Sequence, residues 1–216
     1  GTKRDGRLVE GDVLQLYIND EFFERPTEEN AWLKIATPRL DIVYEDENIL
    51  LADKKPGVLC HSAGEWSWDT LISNIQAYLR QSGEWDPKAE NAFTPALCNR
   101  IDRNTGGIVI AAKNAEALRI LNDKIRDREI DKAYLCVVCG RPKPAEGRLE
   151  GYLFKDAVKN QVYVTKKPQP GAKSAATEYR TLQSRKGLSL VECRLLTGRT
   201  HQIRAQMAAA GCPLLG

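Results

Sequence analysis

No apolar run in this sequence approaches the ~20 residues needed to cross a bilayer as a helix. The opening "GTKRDGRLVEGD" also lacks the apolar core of a signal peptide. Membrane association and secretion are therefore not expected, and a cytoplasmic setting is. Histidine is scarce: only His61 and His201 occur. The six cysteines, Cys60, Cys98, Cys136, Cys139, Cys193 and Cys212, are scattered. The one close pair, Cys136 and Cys139, lies in a strand-like run, and residues three apart on a strand point to opposite faces. Zinc would need a second pair of ligands, so reduced, mostly buried thiols are expected instead. There is no glycine-rich phosphate loop followed by Lys-Ser/Thr, no GxGxxG and no GxSxG. His61-Ser62 adjacency does not make a triad.

What is present is ordinary in amount and uneven in placement. The apolar fraction of 42% and charged fraction of 28% suit a soluble globular chain, and 216 residues suffice for one or two domains with a real core. Net charge is only +3, but residues 1–100 hold 11 basic and 18 acidic groups, while residues 101–216 hold 21 basic and 11 acidic. A basic second half fits a polyanionic partner; mutual attraction between the halves is the alternative.

Hydrophobic periodicity gives an α+β reading, with helices and strands mixed and at least one hairpin. Residues 1–20 read as a short β-hairpin element, and 21–37 as an acidic linker with a short helix. The main domain starts near Pro38. "LDIVYEDENILLADKKPG" reads as two strands about the "EDEN" turn, then a Lys-Pro-Gly turn. A helix follows, capped by Ser67 or Asp69, with Leu71, Ile72, Ile75 and Leu79 inward and Gly83 as its stop. "GGIVIAAK" is a strand. The next helix is capped by Asn114, with Leu118, Leu121 and Ile125 as its stripe. "KAYLCVVCG" is another strand. "SAATEYRTLQSRKGLSLVECRLLTG" is a hairpin turning at Lys186-Gly187. The last helix has Thr200 as N-cap and Gly211 as stop, with Ile203, Met207 and Ala210 on one face.

Two segments carry candidate chemistry. In "LCNRIDRNTGG", Asp102 stands between Arg100 and Arg103 and precedes a turn. Alone, this reads as an ion-paired surface loop. It also suits a carboxylate kept ionised by neighbouring cations and aimed, as a nucleophile, at a sugar carbon. In "LLTGRTHQIRAQM", Arg199, His201, Gln202 and Arg204 cluster at a helix start, a place that favours anions. Solvated charges at a capped helix are the plainer reading. Tyr134 alone is a packing tyrosine, and Lys54 and Lys55 in the Lys-Lys-Pro-Gly turn suit phosphate. A two-carboxylate glycosidase needs a second acid, and Glu116 and Asp123 lie on the polar face of a helix.

Taken together and in order, four segments resemble the RluA family of RNA pseudouridine synthases: "DKKPGVLCHS", "NRIDRNTGG" with "IVIAAKN", "KAYLCVVCG" and "LLTGRTHQIRAQMAAAGCPLLG". The resemblance covers roughly Pro38 to Gly216. It implies a mixed, mostly antiparallel sheet with flanking helices and an active-site cleft, and no metal or organic cofactor. By position, Asp102 matches the catalytic aspartate, Tyr134 the active-site tyrosine, and Arg204 the basic residue that pairs with the aspartate. Arg100 matches the arginine that displaces the target nucleotide. Arg103, Thr105, Arg199, His201, Gln202 and Lys55 are the further RNA-binding candidates. The departures are Asn99 and Gln206 for histidines and Gly106 for serine. The implied partner is structured RNA (ribosomal, large subunit first, or transfer RNA), handled by a monomer. A non-catalytic RNA-binding module of the same fold and an Asp-dependent glycosidase releasing uracil are the rivals. Residues 1–20 resemble the tail of an S4 RNA-binding domain. The family normally continues beyond "GCPLLG", so the catalytic domain of 38–216 is expected to be truncated at its C-terminal end.

Overall fold

The computed structural model describes residues 30–62, 67–89, 92–156 and 161–216. The hairpin and S4-like tail expected at 1–20 lie outside the described residues. Two antiparallel sheets organise the chain. The first has the order β1-β2-β4-β3, from β1 (Ile42–Glu45), β2 (Ile49–Lys54), β3 (Ala96–Leu97) and β4 (Gly107–Ala112). The second has the order β5-β9-β8-β6-β7, from β5 (Ala133–Cys139), β6 (Glu146–Asp156), β7 (Gln161–Thr165), β8 (Lys173–Arg185) and β9 (Leu188–Leu195). With three α-helices among the described residues, this is the α+β class expected.

β2 alternates strictly, burying Leu50, Ala52 and Lys54. Opposite it, Val109 and Ala111 of β4 are also fully buried. Helix α1 (Leu71–Gln81) covers this face with Leu71, Ile75 and Leu79. Each such side chain stabilises the fold by roughly 1.5–3 kcal/mol on burial. The α1 stripe and its stop at Gly83 (φ +80°) are as expected. The cap is Thr70 rather than Ser67 or Asp69. Its hydroxyl accepts from the Ser73 amide while the Ser73 hydroxyl accepts from the Thr70 amide, which satisfies two helix-start donors at once. Asp69 instead accepts from Asn74 at 2.7 Å. A short 3-10 helix, Ala31–Lys34, packs on α1, and Trp32 meets Trp85 edge to face with ring centroids 5.3 Å apart.

Asn114 caps α2 (Ala115–Arg126) as expected, accepting from the Ala117 amide at 2.8 Å. Its apolar stripe is only half-buried. The β8–β9 hairpin turns at Lys186-Gly187, both with positive φ (51° and 78°), the primed turn that matches strand twist. Val138, Val191, Cys193 and Met207 form the second core. All six cysteines are free; Cys60, Cys193 and Cys212 are buried and the other three half-buried. Helix α3 (Gln202–Ala209) ends as expected before Gly211 (φ +80°), but it starts differently. Its N-cap is His201, in the left-handed region at φ 54°, not Thr200.

Candidate active site

The loop between β3 and β4 carries Asp102, and the fold clamps that loop from below. Lys54 continues the inward row Leu50–Ala52, so its stem crosses the apolar core and it is only 1% exposed. Its ammonium donates to the carbonyls of Lys55 (3.0 Å), Val58 (2.8 Å) and Arg103 (3.0 Å). Three donors thus meet three acceptors, which is how a buried ammonium is tolerated. Burial pushes the Lys54 amine below its ordinary value, with Cys60 and Asp102 opposing. The Gly57 amide also donates to the Arg103 carbonyl, and Arg103 Nε donates back to Gly57 at 3.1 Å. The Thr105 amide closes the turn onto the Asp102 carbonyl. Asn99 accepts from the Ile110 amide at 2.8 Å, tying the loop's start to β4. Gly106 lies so close to the Lys-Pro-Gly turn that an added Cβ would sit 3.2 Å from Pro56 Cδ.

The block Leu195–Met207 is anchored by two buried amides. Gln202 accepts from the Thr197 hydroxyl (2.8 Å) and the Arg199 amide (3.1 Å). It donates to the Ala176 carbonyl (3.0 Å) and the Thr177 hydroxyl (2.8 Å). Gln206 accepts from the Thr177 hydroxyl and donates to the Leu149 carbonyl. This network bolts α3 to β6 and β8 and fixes the turn before it. Gln202 is 2% exposed and its amide is held within this network, although it also lines the cleft beside α3. Lys55 is exposed, its ammonium bridging Asp53 (2.7 Å) and Asp41 (2.9 Å), and it is not among the residues that line the cleft. Lys54, buried beneath the loop with its three donors used, is closed to phosphate.

Between these clamped segments lies a cleft of about 450 Å³. Asp102, Tyr134 and Arg204 all line it, with Arg100, Thr105, Arg199, Lys132 and His201. Tyr134 comes from β5, and burial, then the nearby Asp102 charge, raises its phenol above the ordinary value. Asp102 Oδ2 stands 3.1 Å from His201 Nδ1. Arg204 and Asp102 line the same cleft, and among the described residues no ion pair joins them. The chain after α3 adds to the edge of β5, through Leu215 N to Val137 O and Cys139 N to Pro213 O, which brings Gly216 beside α3. Arg204 Nη1 donates to its carbonyl at 2.9 Å. Arg103 is exposed but turned to Gly57, outside the cleft lining.

Lys132 was missed. Period-2 alternation on β5 is the signal that finds it, since residues 132, 134 and 136 share the face of Tyr134 and all line the cleft. Among the described residues no cluster of three or more metal-ligating side chains occurs. No helix among them is long and apolar enough to cross a membrane. The cleft thus sets one carboxylate and one tyrosine among arginines, a lysine and a histidine. That arrangement suits a negatively charged, ring-bearing substrate.

A family model described as RNA pseudouridylate synthase matches residues 48–209. Ribosomal large subunit pseudouridine synthase D of Borreliella burgdorferi is 30% identical, over 99% of this chain and 66% of its own length. An uncharacterised RNA pseudouridine synthase of Mycoplasma genitalium is 36% identical, over 97% of this chain and 65% of its own. This chain spans between about half and two-thirds of the length of such curated relatives. In fold it is similar to human RNA pseudouridylate synthase domain containing 4, with a TM-score of 0.65 at 21% identity over 81% of this chain and 66% of that one. The match spans the first sheet apart from β1, the Asp102 loop, the whole second sheet and α3, and the chain belongs to the RNA pseudouridylate synthase family.

Proposed function

We propose that this protein isomerises uridine to pseudouridine in RNA, with Asp102 as its catalytic carboxylate. The observation that carries the reading is convergence: Asp102, Tyr134 and Arg204, distant in sequence, line one cleft. A module that only binds RNA gains nothing from an acid in a basic cleft, and an Asp-dependent glycosidase in the same cleft would release free uracil where this reaction releases none. In the reaction the C1′–N1 bond breaks, the uracil turns, and C1′ bonds to C5. The C5 proton leaves and N1 takes one up. Asp102 acts at C1′, by attack or by helping to expel uracil, or adds to C6 of the base. Tyr134 packs under the base and assists proton transfer. Arg100, exposed at the cleft edge, fills the stack when the uridine flips out. Arg199, Arg204 and Lys132 hold phosphates, and Thr105 and His201 lie within reach of the nucleotide.

Large-subunit ribosomal RNA is the proposed substrate, on the name of the Borreliella burgdorferi relative, a ribosomal large subunit pseudouridine synthase. The six free thiols fit a reducing cytoplasm, where the protein works as a monomer without cofactor. Mapping pseudouridine in cellular RNA with and without the protein tests this. Loss of one or a few large-subunit sites is expected. Loss from transfer RNA instead reassigns the substrate, and an unchanged map overturns the reading.

A further inference from the structure

We propose that Cys136 and Cys193 form an oxidation site at the cleft: a hydroperoxide oxidises Cys136, and Cys193 then closes a disulfide with it. The two sulfurs lie 3.9 Å apart, in contact across neighbouring strands. Tyr134 is paired with Cys193, and Cys136 with Val191, so the two cysteines and Tyr134 share one face of β5 and β9. Among the described residues this is the one sulfur–sulfur hydrogen bond, although all six thiols are free. Cys139 is nearer to Cys136 in sequence but leaves β5 on the opposite face.

Burial decides which sulfur reacts first. Cys136 is half-buried and lines the cleft, open to a small oxidant. Cys193 is 0% exposed, inside the second core with Val191 and Met207. The contact also favours Cys136 as the thiolate. The Cys193 thiol, donating to it, holds Cys136 below its ordinary value against the effect of burial. Cys193 is pushed up and stays protonated. The Cys136 thiolate attacks the hydroperoxide: an S–O bond forms, the O–O bond breaks, and the leaving oxygen takes up the proton that Cys136 released. Cys193 then attacks the sulfenic sulfur. The S–S bond forms, the S–O bond breaks, and the hydroxyl leaves as water with the Cys193 proton. Two thiols are oxidised and one hydroperoxide is reduced. The new bond closes the 3.9 Å gap beside Tyr134, whose strand partner is Cys193, so it shifts β5 against β9 and displaces the tyrosine. The site stands on the thiol geometry; its effect on turnover rests on the pseudouridine synthase reading.

The test treats the whole protein with hydrogen peroxide, blocks the remaining thiols with iodoacetamide and digests it with trypsin. Mass spectrometry should find two peptides joined, lighter by two hydrogens than their sum, with fragmentation placing the link between Cys136 and Cys193. A link at Cys139 instead, or no link, overturns the site. Cys193→Ala removes a core sulfur that does not line the cleft. This variant should form no link, and dimedone should trap the sulfenic acid on Cys136; a trap on another cysteine in its place overturns the order of attack. Tritium release from large-subunit ribosomal RNA labelled at uracil C5, in single turnover, reads the effect on the reaction. Oxidised wild type should release at least about tenfold more slowly, the scale of a misplaced catalytic group, and dithiothreitol should restore the rate. A linked protein that releases tritium at the reduced rate overturns the effect on turnover. A reduced protein that binds RNA and releases no tritium refutes the pseudouridine reading, and the effect on turnover with it, while the linked peptides still decide the site.

Discussion

Arg204 and Lys54 are both basic and both belong to segments that resemble family motifs, yet one is exposed and the other 1% exposed. Replacing them should separate chemistry from folding. Arg204→Ala removes a cleft cation and one exposed hydrogen bond. Its thermal stability should stay within about 0.5 kcal/mol of wild type, while turnover falls at least tenfold. A matching collapse in melting temperature would make Arg204 structural. Lys54→Met keeps the apolar stem but strips a donor from three carbonyls. At roughly 1–3 kcal/mol for each buried group left unpaired, it should cost several kcal/mol in denaturant unfolding. Alone, Asp102 and Tyr134 read as an ion-paired loop residue and a packing tyrosine; the ordered resemblance of four segments singled them out, and both line one cleft. The roles of Lys54, Gln202 and Lys55 were not readable, because they depend on which carbonyls and carboxylates tertiary packing brings within 3 Å.

At the scale of elements, helices and strands with a clear period matched their expected positions, α1, α2, β4 and the β8–β9 hairpin most closely. The ends of helices did not, since caps depend on side chains finding local donors. Thr70 displaced Ser67 and Asp69, and the start of α3 is organised by Gln202 from inside the helix. β6 and β7 were not anticipated. The inward positions of β6 include Gly147, Gly151 and Tyr152 as well as apolar residues, and no residue of β7 is fully buried. The Lys-terminated strand β4 has a structural use: Lys113 pairs with Glu45 at 2.9 Å and with Glu84. Lys113 holds the Glu84 carboxyl below its ordinary 4.5. A carboxyl depressed in the folded state stabilises above its unfolded pKa, and that contribution is lost as pH falls through the folded value. Urea unfolding of wild type should therefore weaken on acidification below about pH 4.5, and Glu84→Gln should lose less over that interval. Equal acid sensitivity of the two would contradict the pairing.

Across the whole molecule, the charge asymmetry of the sequence takes a spatial form. The acidic first half supplies the Lys54 clamp and Arg100; the basic second half supplies Asp102 on the clamped loop and Lys132, Arg199 and Arg204 on the other wall of the cleft. RNA affinity should fall with salt, and removing one of these cations should shallow the log–log slope by about 0.7–0.9. A slope that stays the same would place phosphate elsewhere. The carboxylate in that cleft remains the centre of the account. The most direct measurement is tritium release from C5-labelled ribosomal RNA by wild type and Asp102→Asn, with RNA binding measured on the same samples. The account predicts release by wild type, none detectable by the variant, and comparable binding by both. Release by Asp102→Asn at the wild-type rate would contradict it.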